Sequence, residues 1–156
     1  MIVQVSALFR QQCFVAGQWI TSDERVEVID PSTQQPFGSV PLLSDEVVQV
    51  AIQAADAAFP PWKSLTAKER SLLLKRWHDL IIGHRRELAE IMSREQGKPI
   101  AEAEREVLSC ASYVEWYAEE AKRVYGDTIP MGQRGKRIIV LKEPIGVCAA
   151  ITPWNF

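Results

Sequence analysis

An apolar run followed by a turn lies close to the carboxyl terminus: Val147-Cys148-Ala149-Ala150-Ile151, then Thr152-Pro153-Trp154-Asn155-Phe156. A continuous apolar run predicts a strand buried on both faces, because a strand with one face in water would alternate apolar and polar residues. Such strands lie at the centre of parallel sheets that carry helices on both sides. The sequence therefore predicts an α/β fold in which residues 147–151 form a central strand and residues 152–156 form the turn after it.

Helical periodicity fills the middle of the chain. Ser44 is a good N-cap, and the helix it begins is predicted to stop at Pro60-Pro61. Thr66 and Glu69 form a capping box for a second helix, which is predicted to end near Gly83. The inward stripes are predicted to be Val48, Ile52, Ala55 and Phe59 on the first helix, and Leu73, Trp77, Leu80 and Ile81 on the second.

Two further helices are predicted over residues 85–95 and 101–124. Gly97 and Pro99 separate them, and Gly126 is predicted to end the second. Lys98 in this Gly-Lys-Pro turn could be interpreted as a phosphate ligand, but the favoured interpretation is a turn between two helices. The buried seam of the longer helix is predicted to comprise Val107, Ala111, Val114, Ala118 and Ala121.

Strands are predicted on either side of this helical region. Residues 14–20 indicate a hairpin around Gly17, and residues 26–29 and 37–41 indicate two further short strands. After a turn-prone stretch, residues 137–143 are rich in β-branched side chains. A doubly wound sheet needs more neighbouring strands than these, so the fold is expected to be incomplete.

Composition narrows the functional classes. The 156 residues are 47% hydrophobic and 24% charged, and 18 Lys and Arg against 20 Asp and Glu give a net charge of −2. This balance argues against nucleic acid as the main partner. No apolar run approaches the ~20 residues that span a bilayer, so no membrane association is expected. The amino terminus lacks the basic stretch and apolar core of a signal peptide. The protein is therefore expected to be cytoplasmic.

No metal site is predicted. Cys13, Cys110 and Cys148 are far apart, and His78 and His84 lie six residues apart, which does not place them on one helix face. The cysteines are interpreted as structural residues, because no His or cationic partner adjoins them in the sequence. Both histidines are expected at the surface. The carboxylates Glu115, Glu119 and Glu120 are interpreted as a solvated helix face.

Three segments carry a resemblance to a known family. Residues 142–156 resemble the K-E-P-x-G-V-x-x-x-I-x-P-W-N-F block of the aldehyde dehydrogenase superfamily. Residues 95–99 resemble its E-x-G-K-P turn and residues 126–130 its G-x-x-I-P segment. Within the superfamily, residues 8–12, 65–70 and 113–123 are most similar to succinate-semialdehyde dehydrogenases, and glutarate-semialdehyde dehydrogenases are similar there. The resemblance covers almost the whole chain from about Leu8 onward.

The resemblance implies oxidation of a semialdehyde with NAD or NADP. In the family a cysteine thiolate attacks the aldehyde carbon, hydride passes to the cofactor, and the resulting thioester is hydrolysed. By position, Asn155 would donate its side-chain amide to the oxyanion of the first step. Phe156 would border the aldehyde tunnel, and the cofactor cleft would be lined by Ile151, Thr152, Pro153, Trp154 and Asn155.

The resemblance also implies what is missing. The family's nucleophilic cysteine segment, its glutamate base and its later glycine-rich phosphate loop have no counterpart in residues 1–156, and Cys148 does not match the nucleophile. We therefore expect a partial cofactor-binding domain over residues 1–156. Residues 127–143 would belong to the β-arm through which family subunits form homo-oligomers. Alone, the chain is expected to be inactive and to bind NAD or NADP weakly. The favoured activity is that of a succinate-semialdehyde dehydrogenase. The alternatives are a glutarate-semialdehyde or other aldehyde dehydrogenase and a non-catalytic module that binds full-length subunits.

Overall fold

The computed structural model describes residues 6–152 and gives four helices and three β-hairpins within that range. In chain order these are β1 (Cys13–Val15), β2 (Gln18–Ile20), β3 (Arg25–Asp30), β4 (Gln35–Pro41), α1 (Asp45–Ser64), α2 (Ala67–Gly83), α3 (Arg85–Gln96), α4 (Ile100–Glu120), β5 (Asp127–Pro130) and β6 (Arg137–Val140). The strands form three antiparallel pairs, β1 with β2, β3 with β4 and β5 with β6. The predicted hairpin over residues 14–20, the predicted strands over residues 26–29, 37–41 and 137–143 and all four predicted helices are therefore confirmed, with adjusted ends.

The first hairpin turns where the sequence indicated. Ala16 and Gly17 both have positive φ, at 51° and 81°, which is the geometry of the two-residue turns that match strand twist. The pair β3–β4 has a register shift between Val28 and Ile29, and β4 begins two residues before the predicted Phe37. These local patterns needed no tertiary information to be recognised.

The predicted stop at Pro60-Pro61 is wrong, because α1 continues through both prolines to Ser64. Each proline removes one hydrogen bond to the preceding turn, which frees the carbonyls of Asp56 and Ala57. Both of these residues are exposed, so water can bond their carbonyls. Helix α2 then begins at Thr66, where the predicted capping box is confirmed: Glu69 N donates to Thr66 Oγ1 at 3.3 Å, and Thr66 N donates to Glu69 Oε2 at 2.7 Å.

Helix α4 ends at Glu120, earlier than predicted, and Gly126 does not end it. After Glu120 the backbone tightens into short-range bonds, with Lys122 N donating to Glu119 O and Arg123 N to Glu120 O. Gly126 has a different role, since a Cβ there would collide with the carbonyl of Val140 on β6. A glycine at this position lets β6 approach the chain that follows α4.

A small core lies where α2, α3 and α4 meet. Ala89 of α3 and Ala103 and Val107 of α4 are buried, with Ile81, Leu88, Met92 and Ile100 packed around them. Alanine at the contacts lets helix backbones approach closely. The predicted seam of α4 is confirmed, since Ala111 and Ala118 are also buried and Val114 and Ala121 are half-buried.

The predicted inward face of α1 is wrong, and that of α2 is correct only at Ile81, which packs against the core. Helix α1 buries no residue, and Val48 and Ile52 are about half exposed. On α2 the packed side carries Ser71, Leu74, His78 and Ile81, whereas Leu73, Trp77 and Leu80 are exposed. The small Ser71 side chain allows α2 to pack closely against α4. The contact between these two helices therefore determines which face of α2 is buried, and that face is not the one that the apolar stripe predicted.

The predicted central strand is also not formed. Residues 147–151 carry no ladder hydrogen bonds within residues 6–152, and Ile151 is fully exposed. A strand exists through the bonds that its neighbours supply, and the described part of the chain supplies no parallel neighbour. The α/β character in this range rests on helices and separate hairpins, without the parallel sheet that the apolar run predicted.

Candidate functional site

The predicted site residues lie at and beyond the described carboxyl-terminal boundary. Ile151 and Thr152 are both exposed. Pro153, Trp154, Asn155 and Phe156 lie outside the described residues, so the predicted oxyanion donor and tunnel residue have no structural description here. What the structure does describe is the segment that leads to them.

This leading segment is held against the carboxyl-terminal end of α1. Glu143 Oε2 lies 3.4 Å from Lys63 Nζ, in an ion pair whose partners are both well exposed. Gly146 then adopts φ of +115°, a conformation that side chains strongly disfavour. The chain therefore turns at Gly146 and brings residues 146–148 alongside α1.

An apolar groove of about 580 Å³ lies between these two elements, and we call it the α1 groove. No charged side chain lines it; its walls are Ala55, Ala58, Phe59, Pro61, Trp62, Leu65, Gly146, Val147 and Cys148. Trp62 and Val147 are each nearly half exposed within it. The sequence singled out Phe59 as part of an apolar stripe, and no sequence pattern placed residues 146–148 beside it.

The cysteines are less enclosed than predicted. Cys110 and Cys148 are exposed and Cys13 is half-buried, so the strand that was expected to enclose Cys148 does not do so. Cys148 Sγ donates to the Gly146 carbonyl oxygen at 3.6 Å, a weak contact. Cys148 lies at the wall of the α1 groove because the expected strand around it is not formed.

The Gly-Lys-Pro turn joins two helices, as the favoured interpretation predicted. Gly97 ends α3 in the left-handed region at φ of 80°, and Pro99 precedes α4. Lys98 is buried and its Nζ pairs with the carboxylate of Glu106 on α4, while Ser93 Oγ donates to the Lys98 carbonyl at 2.7 Å. Lys98 therefore stabilises the contact between this turn and α4.

Two polar side chains next to this turn are partly enclosed. Burial raises the pKa of the Glu95 carboxyl above its usual value. The buried Oε1 of Gln96 has no hydrogen-bond partner within residues 6–152. The turn is fixed against β3 from the other side, because Arg94 Nε lies 3.7 Å from Asp30 Oδ2 and Pro31 packs against Gly97.

The acidic face of α4 was interpreted as solvated, yet one of its carboxylates bonds a lysine of α2. Glu119 binds Lys122 at 2.7 Å and Lys75 of α2 at 2.8 Å. These two hydrogen-bonded ammonium groups, Lys122 first, lower the pKa of Glu119 to about 2. The same face lines a cavity of about 590 Å³ with the exposed aromatic residues Tyr113 and Trp116. The sequence gave no sign that Lys75 would reach Glu119.

The histidines are half-buried and bond neighbouring carboxylates. His78 Nδ1 lies 3.0 Å from Asp79, and His84 Nδ1 lies 2.8 Å from Glu87. Over residues 6–152, no three His, Cys, Asp or Glu side chains come together as a ligand set for a metal ion. In the same range, no helix combines the length and the apolar character that a membrane span needs.

Comparison with known proteins decides the family. The model of the aldehyde dehydrogenase family matches residues 19–156. The chain belongs to the aldehyde dehydrogenase family. A glutarate-semialdehyde dehydrogenase of Pseudomonas putida is 51% identical over 158 residues, which cover 100% of this chain and 33% of that protein. The NADP(+) succinate-semialdehyde dehydrogenase of Escherichia coli K12 is 50% identical, covering 97% of this chain and 32% of that protein.

The fold comparison agrees with the sequence comparison. A solved succinate-semialdehyde dehydrogenase from Burkholderia pseudomallei superposes with a TM-score of 0.94 and 49% identity, covering 100% of this chain and 33% of that one. The predicted family and the predicted partial aldehyde dehydrogenase fold are confirmed. This aldehyde dehydrogenase chain spans about a third of the length of the curated relatives that it matches.

Most of the residues predicted to line the cofactor cleft lie outside the described range. Of the predicted cleft residues, only Ile151 and Thr152 are described, and both face solvent. Neither of them lines the α1 groove, which carries no charged side chain.

Proposed function

We propose that this chain forms part of a semialdehyde dehydrogenase subunit, which oxidises the semialdehyde of a short dicarboxylic acid to the diacid with NAD or NADP as acceptor. The observation that carries the proposal is identity near one half, maintained along the whole chain, to proteins named for succinate and glutarate semialdehyde. The match to the Pseudomonas putida relative covers the whole of this chain.

The substrate class is a small aldehyde with a carboxylate at its other end. Succinate and glutarate semialdehyde share this plan and differ by one methylene. An enzyme pocket discriminates one methylene by only about 1–3 kcal/mol, so we expect both to be oxidised. The uncharged aldehydes of the same length lack the carboxylate and should be poorer substrates.

Asn155 is the residue of this chain proposed to act on the substrate. Its side-chain amide would donate a hydrogen bond to the oxyanion that forms when the nucleophile attacks the aldehyde carbon. Ile151, Thr152, Pro153 and Trp154 would line the cofactor cleft beside it, and Phe156 would border the aldehyde tunnel. The position supports this proposal, because the turn after an apolar run is where α/β proteins place ligands.

The β5–β6 hairpin and the residues around it, 127–143, are proposed as an oligomerisation arm of a homo-oligomer. Ile139 and Leu141 are about three-quarters exposed, and each strand of this two-stranded pair has one edge without a partner strand in the described range. Edges of this kind pair readily with other strands. The same features support a second candidate function, a non-catalytic module that binds full-length subunits. We also propose a cytoplasmic location, which suits free thiols.

The chain alone is proposed to be inactive, because no residue of it takes the place of the family's nucleophile or base. The test is a chimera in which this chain replaces the matched third of the Escherichia coli relative. Oxidation is followed by cofactor absorbance with succinate semialdehyde, glutarate semialdehyde and butanal. We expect the chimera to oxidise both semialdehydes, with butanal far behind, and the isolated chain to oxidise none. A chimera that assembles but prefers butanal would contradict the substrate class, and turnover by the isolated chain would contradict its inactivity.

A further inference from the structure

We infer that the tip of the β5–β6 hairpin, residues 131–137, is a binding site for the phosphate groups of a small polyanion. Arg134, Lys136 and Arg137, which we call the tip cations, would hold the phosphate oxygens. The site lies at the turn, beyond most of the two strands that are proposed to form the oligomerisation arm. The inference goes beyond the proposed activity, because it involves neither the semialdehyde nor NAD or NADP.

The tip concentrates positive charge on a chain that is negative overall. Residues 131–137 contain two arginines, one lysine and no Asp or Glu, whereas the whole chain has a net charge of −2. Asp127 is the acidic residue of the two strands, and it pairs with Val140 at the opposite end of the hairpin. It lies three residues along β5 from Pro130, or about 10 Å. An anion at the tip is therefore attracted without an opposing carboxylate from the same strands.

The charges of the tip cations are not neutralised within the fold. All three residues are exposed, and over residues 6–152 none of their side chains makes an ion pair or a hydrogen bond. Other cationic side chains are used internally: Lys63, Lys75, Lys122 and Arg123 each bond a carboxylate. The tip cations are therefore available to a ligand, and binding would not first have to break a bond within the protein.

The tip cations also share one cavity. It has a volume of about 440 Å³, and all three residues line it together with Gly135. Gly135 has φ of 80°, and a Cβ added there would meet no atom within 4 Å, so the space beside the turn is open. Small-molecule sites usually occupy about 300–1,000 Å³, so a phosphate-bearing ligand can be accommodated here.

The side chains match phosphate better than a simple carboxylate. A guanidinium group donates two parallel N–H bonds to neighbouring phosphate oxygens, and an ammonium group adds a point charge. Arg137 is held in place, because it pairs with Pro130 in the last strand pair before the turn. Three positive charges suit a ligand with several negative charges. Such a ligand is a free polyphosphate or the phosphate chain of a nucleotide, and both present the same chemistry to the tip.

Lysine modification tests the inference on the whole chain and on the chimera described above. Lys136 lies at the tip, and Lys68 is an exposed control on α2. The probe is inorganic pyrophosphate, with ATP and succinate in parallel samples. Acetic anhydride is added briefly and each lysine is quantified by mass spectrometry. We expect saturating pyrophosphate to slow acetylation of Lys136 by about fivefold or more and to leave Lys68 unchanged. Succinate should protect Lys136 only at much higher concentration.

The ATP samples distinguish the two sources of the phosphate. Protection by ATP at a lower concentration than by pyrophosphate would assign the site to a nucleotide. Protection by pyrophosphate at the lower concentration would assign it to a free polyphosphate. The readout does not depend on whether the chimera oxidises a semialdehyde, so this inference and the proposed function can fail separately.

A charge-matched pair of double variants separates a site from the general charge of the chain. Arg134→Gln with Arg137→Gln removes two charges at the tip, and Arg76→Gln with Arg85→Gln removes two from exposed positions on α2 and α3. The tip variant should need about tenfold more pyrophosphate to protect Lys136, because it loses charge-assisted hydrogen bonds. The helix variant should change this concentration by less than about twofold. Urea unfolding verifies that both variants fold like the parent.

Four outcomes would overturn the inference. They are equal acetylation of Lys136 with and without pyrophosphate, equal protection of Lys136 and Lys68, equal weakening by the two double variants, and protection by succinate at the same concentration as pyrophosphate. Protection of Lys136 that rises with protein concentration in the absence of added anion would also overturn it. That result would indicate an acidic segment of a second copy at the tip.

Discussion

Lys75 Nζ on α2 lies 2.8 Å from Glu119 Oε1 on α4, and the other oxygen of the same carboxylate accepts a bond from Lys122 at 2.7 Å. One carboxylate thus joins the two helices that pack against each other and secures the end of α4. The hydrogen bond that Lys75 donates to Glu119 raises the pKa of Lys75 in return. Because Glu119 is partly exposed, its contribution is sensitive to pH and to salt.

The first prediction concerns this pH dependence. The pKa of Glu119 falls from 4.5 to about 2 on folding, so its contribution is complete above pH 4.5 and is lost as the pH drops toward 2. Glu119→Gln should therefore lower the free energy of unfolding near neutral pH and converge with the parent near pH 2. Urea unfolding across this range measures the difference. Glu115→Gln, one turn earlier on α4, is the charge-matched control. Its free energy of unfolding should differ from that of the parent by an amount that changes less with pH. Parallel curves for parent and Glu119→Gln would contradict the assignment.

The second prediction concerns the enclosed ion pair between α4 and the turn before it. The side chains of Lys98 and Glu106 are only 6% and 20% exposed. Glu106→Leu should cost about 3 kcal/mol, because it leaves a buried ammonium without this carboxylate. The double variant Lys98→Met with Glu106→Leu should recover much of that loss. A double variant less stable than the single one would show that Lys98 contributes mainly through other contacts.

The capping box of α2 gives the third prediction. Thr66→Ala removes the acceptor for the Glu69 N–H and should lower the free energy of unfolding by about 1 kcal/mol. Thr66→Ser keeps the oxygen and should behave like the parent within a few tenths. Thermal or urea unfolding distinguishes them. Equal destabilisation by alanine and serine would mean that the threonine methyl group, and not the cap, stabilises the helix.

The fourth prediction uses two glycines that should respond with opposite sign. Gly97 has φ of 80°, and a Cβ there would lie 3.2 Å from Pro31 Cβ, so Gly97→Ala should cost about 1–2 kcal/mol. Gly83 ends α2 with no atom within 4 Å of an added Cβ, so Gly83→Ala should stabilise by about 0.5–1 kcal/mol. Shifts of the same sign in the two melting curves would contradict this assignment.

Local signals in the sequence predicted most of the elements. The capping box at Thr66, the left-handed glycine at Gly97 and the turn at Gly17 each depend on a few neighbouring residues, and all three are confirmed. The family motifs depend on residue identity at fixed spacing, and the comparisons confirm the family that they indicated. These features need no knowledge of what packs against them.

The sequence predicted the buried seam of α4 correctly but not the packed faces of α1 and α2. The stripe of Leu73, Trp77 and Leu80 is apolar and periodic, yet α4 packs on the side of α2 that carries Ser71. Periodicity shows that a face is apolar but not which neighbour will cover it. Residues 147–151 illustrate the same limit, because a strand's hydrogen bonds belong to its partner as much as to itself. The Lys75–Glu119 contact likewise depends on how two helices meet.

The central claim is that this chain supplies the oxyanion donor of a semialdehyde dehydrogenase, and Asn155→Ala in the chimera tests it most directly. Loss of one such donor lowers the rate by about 100- to 1,000-fold. We expect kcat for succinate semialdehyde to fall by that factor with KM little changed. Gln133→Ala, which removes an equivalent amide from the loop between β5 and β6, should leave kcat at the parent value. Equal kcat values for the Asn155→Ala and Gln133→Ala variants of the chimera would contradict the claim.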